Sequence, residues 1–481
     1  MAPRPVLGHD SAPALHVASK AKEWEEIEEE NDNMLVKLQW EPSRQAFFDD
    51  LQCQIPNIRR LVAHHLSLSR SQQCKVSDRS EWRDGGFNAC IPVNISNWRE
   101  QRLMLRCPFP HMLGGPDGLD EKIRRFIETL KRCWAWRQPF NAPFAPCKTP
   151  FPLKSGYLLV DFVEKEQGTK LSEMWPPETD KQRQNFYRSL SRIMLDLAGH
   201  HFTKIGSFTV DNSGNISLSN RPLTIQLPLL ESSGIPTSIP HDRTYVTTDS
   251  YIRDILKCHD MKLRYQPNAV PDESEAESQM AVLTMMRALS PNFTMDHLQS
   301  GPFCHIWTDC DPSNILVNER YDITCLFDLE WIPVLPIETL SPPFWLSGYP
   351  VDGLGGEKRK HYDAMCVDFL DIFGQEDDDQ SSPPKPGFYT KIMKDALEKA
   401  THWFWASLNH SRVTYNLFLE HLQPRLAPTH SAGVDCIQFH RILAPYWTLN
   451  ASGFIDAKIT DHKNYLKDLR TQHMARFVGS E

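Results

Sequence analysis

The stretch "HIWTDCDPSNILVNERYDITCLFDLEW", residues 305–331, places the tightest constraint on the fold. Two short apolar runs, "NILV" and "ITCLF", lie between carboxylates, with Asp309 and Asp311 ahead of the first and Asp328 and Glu330 behind the second. The form is strand, turn, strand. An antiparallel hairpin brings its two ends together, so the loop before the first strand meets the turn after the second. Asp309, Asn314 and Asp328 then surround one point, where like charges repel and a carboxylate near a core is costly. Something positive is expected there.

Carboxylate and amide oxygens suit a hard divalent cation such as Mg²⁺, which keeps several of its waters. A further carboxylate beside it can take a proton from a hydroxyl nucleophile, and phosphoryl transfer needs little else. Turn chemistry alone explains any single one of these residues, because Asp, Asn, Pro and Ser favour turns for backbone reasons. The joint spacing Asp-x4-Asn-x13-Asp across a hairpin favours a site. A rival reading takes "DCD" (309–311) as the aspartate pair of a dehalogenase-type phosphatase or a glycosyltransferase. The first wants a strongly apolar strand before the pair and Thr or Val two residues after it. Here "CHIWT" precedes and Pro312-Ser313 follow, a poor fit.

A chain of 481 residues, 40% of them apolar, holds enough for a large core and two or three domains. The net charge of −9 and scattered basic residues argue against a nucleic-acid surface. No run reaches the roughly 18 apolar residues of a membrane span. The twelve cysteines form no CxxC pair, so buried reduced thiols are expected rather than a disulfide or zinc scaffold. A cytoplasmic location is expected.

Residues 1–40 read as a loose segment running into a charged helix. "RQAFFDDLQCQIPNIRRLVAHHLSL" reads as helix broken or restarted at Pro56, followed by β-type runs on both sides of "DGGFN" (84–88). "GLDEKIRRFIETLKRCWAWRQ" has helical periodicity and "GYLLVDFVEKEQGTKL" reads as a buried strand. "IGSFTVDNSGNISLS" is a hairpin turning at Ser213-Gly214. "GQEDDDQSSPPKPG" (374–387) is expected as an exposed acidic loop, and "ATHWFWASLNHSR" (400–412) as packed helical core, with a substrate pocket as the alternative.

These segments together resemble the aminoglycoside phosphotransferase-like family of the protein-kinase-like superfamily, in particular a fungal branch of it. Beyond the hairpin, "YLLVDFV", "SLSRIMLDLA", "IGSFTVDNSGNISLSNRPLT", "DSYIRDIL", "RYQPNAV" and "DLEWIPVLPIETLSPPFWLSG" match successive blocks in order, from about residue 40 to the C-terminus. The resemblance implies an α+β, two-lobed kinase-like fold. A small β-rich N-lobe would occupy 41–164, and a mainly helical C-lobe 165–481 would carry the catalytic hairpin 303–331. It implies transfer of the ATP γ-phosphate to a small-molecule hydroxyl with Mg²⁺. Asp309 would be the base, Asn314 and Asp328 the metal ligands, and Glu330 a supporting acid. Gly85 and Gly86 would form the turn over the phosphates, Arg106 would stand at the position of the phosphate-contacting lysine, and Asp161 and Val163 would offer backbone groups to adenine.

Three departures from the family pattern stand out. Trp307 replaces the histidine usual two residues before the base, with His305 two residues further back. Asp311 takes a place often held by histidine and adds negative charge beside the metal. The helix whose glutamate would pair with Arg106 is shortened away, with Glu121 and Glu128 as off-position substitutes. The last departure supports the alternative of a pseudokinase that acts as a binding protein.

Overall fold

The computed structural model describes residues 30–97, 102–112, 140–141, 150–211, 215–379 and 385–478. The helix expected around 118–138, with Glu121 and Glu128, and the Ser213-Gly214 turn lie outside the described residues. The chain is a mixed α+β protein. It divides into two compact units, Gln39–Phe162 with Phe208–Asn220, and Met1–Leu38 with Val163–Ser207 and Arg221–Glu481.

The first unit is built on an antiparallel sheet in the order Cys74–Val76, Asn88–Ile95, Arg102–Pro108, Leu158–Asp161, with Arg83–Asp84 paired to the end of Asn88–Ile95. In Arg102–Pro108 the period-2 pattern buries Leu103, Leu105 and Cys107, and turns Met104 and Arg106 to the other face. The helix Ile55–His65 carries Pro56 in its first turn, where the missing N–H costs nothing, and buries Ile58, Leu61 and Val62. Phe48 meets the edge of Phe109 with ring centroids 5.7 Å apart. The strand expected to be buried at 158–161 is instead a sheet edge, with Leu158 64% exposed. Its apolar run reads as interior, but no further strand among the described residues pairs with it.

The second unit is largely helical. Thr179 and Gln182 form a reciprocal capping box that starts the helix Asp180–Ala198. That helix buries Phe186, Tyr187 and Leu190 in a cluster with Ile315, Val317, Phe369, Phe373 and Tyr389. Each such fully buried side chain contributes about 1.5–3 kcal/mol of transfer free energy. Two small antiparallel sheets frame the hairpin region. One orders Val334–Pro336, Phe303–His305 and His201–Phe202, and the other Ile323–Leu326, Ile315–Val317 and Thr169–Lys170.

The acidic run corrects the loop expectation. Helix Gly356–Asp378 continues through it, and Glu376 accepts from Arg188 Nε at 3.1 Å and Arg192 Nε at 2.6 Å. Asp377 is buried and accepts from the Thr390 N–H and hydroxyl at 2.8 and 2.7 Å. With Glu376 paired to two arginines and Asp377 hydrogen-bonded by Thr390, these carboxylates stay helical; 380–384 lie outside the described residues.

Candidate functional site

The hairpin forms as the sequence implies. Ile315 pairs with Leu326 and Leu316 with Cys325, with a register shift before Val317. The Asn318 side-chain oxygen accepts from the N–H groups of Arg320 and Asp322 at 2.9 and 3.0 Å, which shapes the connecting turn. At the other end, the Phe327 N–H donates to the Asn314 carbonyl at 2.9 Å and fixes Asn314 beside the residue preceding Asp328. Asp328 itself adopts the left-handed backbone, φ 51° and ψ 49°.

The loop carrying Asp309 is held along the strand after the hairpin. Thr308 donates both its N–H (3.0 Å) and its hydroxyl (2.8 Å) to the Trp331 carbonyl, and the Ile306 N–H donates to Pro333 at 3.1 Å. His305, half-buried, lies edge-on to Phe202 and bonds the Ile332 carbonyl through Nδ1 at 3.3 Å, so it braces the loop. Trp307 is buried in the core cluster. Asp311 caps the short turn Pro312–Asn314 and accepts from the Ser313 N–H and hydroxyl at 2.8 and 2.6 Å.

Asn314, buried, donates from Nδ2 to Asp309 Oδ2 at 3.1 Å. That orientation turns its carbonyl oxygen away from Asp309 and leaves it as the group suited to a cation. Burial first, then the charges of Asp311 and Asp328 and finally of Glu330, push Asp309 up to about 7 against the Asn314 hydrogen bond, which pulls it down. The hairpin thus brings Asp309, Asp311, Asn314, Asp328 and Glu330 within electrostatic reach of one another. No cluster of three or more His, Cys, Asp or Glu among the described residues forms a ready-made metal centre. An Asn–Asp pair completed by waters and ligand oxygens is the donor set magnesium accepts, so these residues fit that ion.

Asp309 and Asp311 also line a cavity of about 240 Å³ within the second unit. Its walls include Trp307, Phe344, Trp345 and Trp405, together with Thr224 and Ile225. The aromatic block 400–412 contributes both to the core and to a cavity wall. Trp403 and Phe404 are fully buried, whereas His402, Trp405 and His410 face the cavity wall. The sequence did not single out Thr224, Ile225 or Pro343–Trp345 as lining residues. Thr224 and Pro343–Trp345 fall within blocks that resemble the family, with no role attached to these positions, and Ile225 carried no signal.

The other candidates lie on the first unit, apart from Val163. The Gly85 N–H donates to the Asn88 carbonyl at 2.9 Å, closing the turn between Arg83–Asp84 and Asn88–Ile95. Arg106, half-buried, pairs in register with Cys90 and Leu158. Asp161, exposed, ends the edge strand, and the Phe162 N–H donates to the Arg102 carbonyl at 3.1 Å. Val163 is half-buried and opens the next segment of the second unit.

No helix among the described residues is long and apolar enough to cross a membrane. No family model and no curated protein matches the sequence. Among solved structures, the chain is similar to a macrolide 2'-phosphotransferase type I (10% identity, TM-score 0.31, 80% of this chain and 95% of that one). It is similar also to a macrolide 2'-phosphotransferase from Brachybacterium faecium (12%, 0.30, 76% and 97%). A third similar structure is an ethanolamine kinase from Plasmodium vivax (10%, 0.31, 82% and 87%). At these scores the likeness by itself assigns no activity.

Proposed function

We propose that this chain is a two-lobed, kinase-like phosphotransferase that moves the γ-phosphate of ATP to a hydroxyl of a small molecule. The observation that carries the reading is Asp309, hydrogen-bonded by Asn314 and set in the wall of a cavity large enough for an acceptor. Asn314 and Asp328 would hold magnesium, which would neutralise the terminal phosphates of the nucleotide. Asn314 engages one Asp309 oxygen and leaves the other to accept the acceptor's proton. Positive charge near Asp328 would also lower the Asp309 proton affinity that burial and its neighbours raise. Arg106, Gly85, Gly86, Asp161 and Val163 are proposed as nucleotide contacts on the resemblance alone. Because the Gly85 N–H is already donated within its turn, any phosphate contact there falls to Gly86.

The test is thermal stability with millimolar ATP, with and without Mg²⁺. Magnesium-dependent stabilisation is expected, and its absence would leave a pseudokinase that binds a partner. With turnover in hand, Asp309→Asn should lower the rate by roughly 10²–10⁴-fold, the ordinary contribution of a general base.

A further inference from the structure

The loop that carries Asp309 is pinned at its entry by Thr308, on the Trp331 carbonyl, and at its exit by the strand Ile315–Val317. Between these points its bonds are mostly its own. The Asp311 N–H donates to the Asp309 carbonyl and the Asn314 N–H to the Asp311 carbonyl, each at 2.9 Å, and Asn314 Nδ2 reaches the Asp309 carboxylate. Bonds of this kind fix the shape of the loop, but do not fix its direction. Among the described residues, the Asp309–Asp311 stretch makes one hydrogen bond beyond the loop, from the Trp345 indole N–H to the Cys310 carbonyl.

The donor stands on a stiff block. Pro342 and Pro343, which fix their own φ, precede the short turn Phe344–Ser347. The Tyr362 hydroxyl donates to the Pro342 carbonyl at 3.1 Å, and Phe344 stacks on the Tyr362 ring with centroids 5.3 Å apart. Behind Trp345, the Gly348 N–H donates to its carbonyl at 2.8 Å, at a left-handed φ of 76° that glycine takes without strain. The Trp345 ring meets the edge of Trp175 at 5.3 Å and also forms part of the cavity wall. Indole can only donate and a carbonyl only accept, so the contact has a single sense.

We propose that Trp345 is a positioning residue of the site: it holds the peptide joining Cys310 to Asp311 and so aims the adjacent Asp309 carboxylate along the cavity wall. Calling Asp309 the base rests on the phosphotransfer reading, whereas the hold on the loop does not. A misplacement of about 1 Å at a reacting group is worth roughly 10²-fold in rate.

Trp345→Phe keeps a ring in the wall and removes the donor. In the metal-free full chain, hydrogen exchange in peptides covering 308–314 should speed up at least tenfold, with peptides of helix Gly356–Asp378 within twofold of wild type. ADP release from Mg–ATP is then followed with ethanolamine, glycerol, 2-phenylethanol and water as acceptors, keeping the fastest. The substitution should lower kcat about 10–100-fold and move KM less than threefold. In the Asp309→Asn background it should cost less than threefold, because its effect passes through Asp309; a merely structural role would cost the same in both. Unchanged exchange in the loop, a loss confined to KM, or equal losses of kcat in both backgrounds overturns the assignment. Faster loop exchange in a chain that Mg–ATP does not stabilise would keep the hold of Trp345 on the loop and remove the phosphotransfer reading instead.

Discussion

Asp309→Asn should make the apoprotein more stable while removing its activity. Asp309 is half-buried and faces three other carboxylates, and its proton affinity rises from 3.8 to about 7. The folded protein holds this proton more tightly than the unfolded chain. The wild type is therefore favoured below pH 3.8 and loses that stability as pH climbs through about 7. The amide variant has no such loss. The full shift corresponds to about 4 kcal/mol. Solvent screening of a partly exposed group brings the expected gain above pH 7 to about 1–2 kcal/mol. For a chain of this size that is roughly 1–2 °C in melting temperature. The assay is thermal unfolding of both proteins in EDTA from pH 5 to pH 8. The difference should grow with pH and level off above about 7. A variant no more stable than wild type at pH 8, or equally stabilised at pH 5 and pH 8, would refute the electrostatic account of the site.

Asn314→Ala removes the donor that holds Asp309, together with an amide oxygen proposed for magnesium; losing a hydrogen bond to a charged group should cost phosphoryl transfer about 10–150-fold. Stabilisation by ATP should also need more Mg²⁺, and an unchanged Mg²⁺ titration would remove Asn314 from the metal. Arg221 is buried and bonds both Glu231 oxygens at 2.7 Å and the Ile239 carbonyl at 2.8 Å. Arg221→Met leaves Glu231 without its counter-charge and should destabilise by about 3–5 kcal/mol in chemical denaturation; a loss below about 1 kcal/mol would contradict this. Asp377→Ala strips the acceptor from the first turn of helix Phe388–Glu398 and should cost about 1–2 kcal/mol by the same measurement. No change there would mean that water replaces the carboxylate.

The parts of the site that could be read from the sequence are those built by local pairing. Asp309, Asn314 and Asp328 are joined by a short hairpin, so their spacing alone carries the geometry. The acidic run at 376–379 reads as a loop in sequence because the charge of Glu376 is met by Arg188 and Arg192, some 184–188 residues away. A carboxylate capping another helix, as Asp377 does, looks in sequence like a loop acid. The cavity was legible only in outline. Helical periodicity separates buried from exposed faces, but does not distinguish Trp403, in the core, from Trp405, against a void two residues on. The strand at 158–161 read as interior because an apolar run carries no mark of being at a sheet edge.

The left-handed corner at Asp328 bears on how this protein could lose or keep chemistry over time. Glycine, asparagine and aspartate adopt that backbone at little cost, and of these only aspartate is charged. A lineage abandoning catalysis could drift to asparagine or glycine here and keep its hairpin intact. An alanine scan, in contrast, would mix backbone strain with the missing charge and report the two as one.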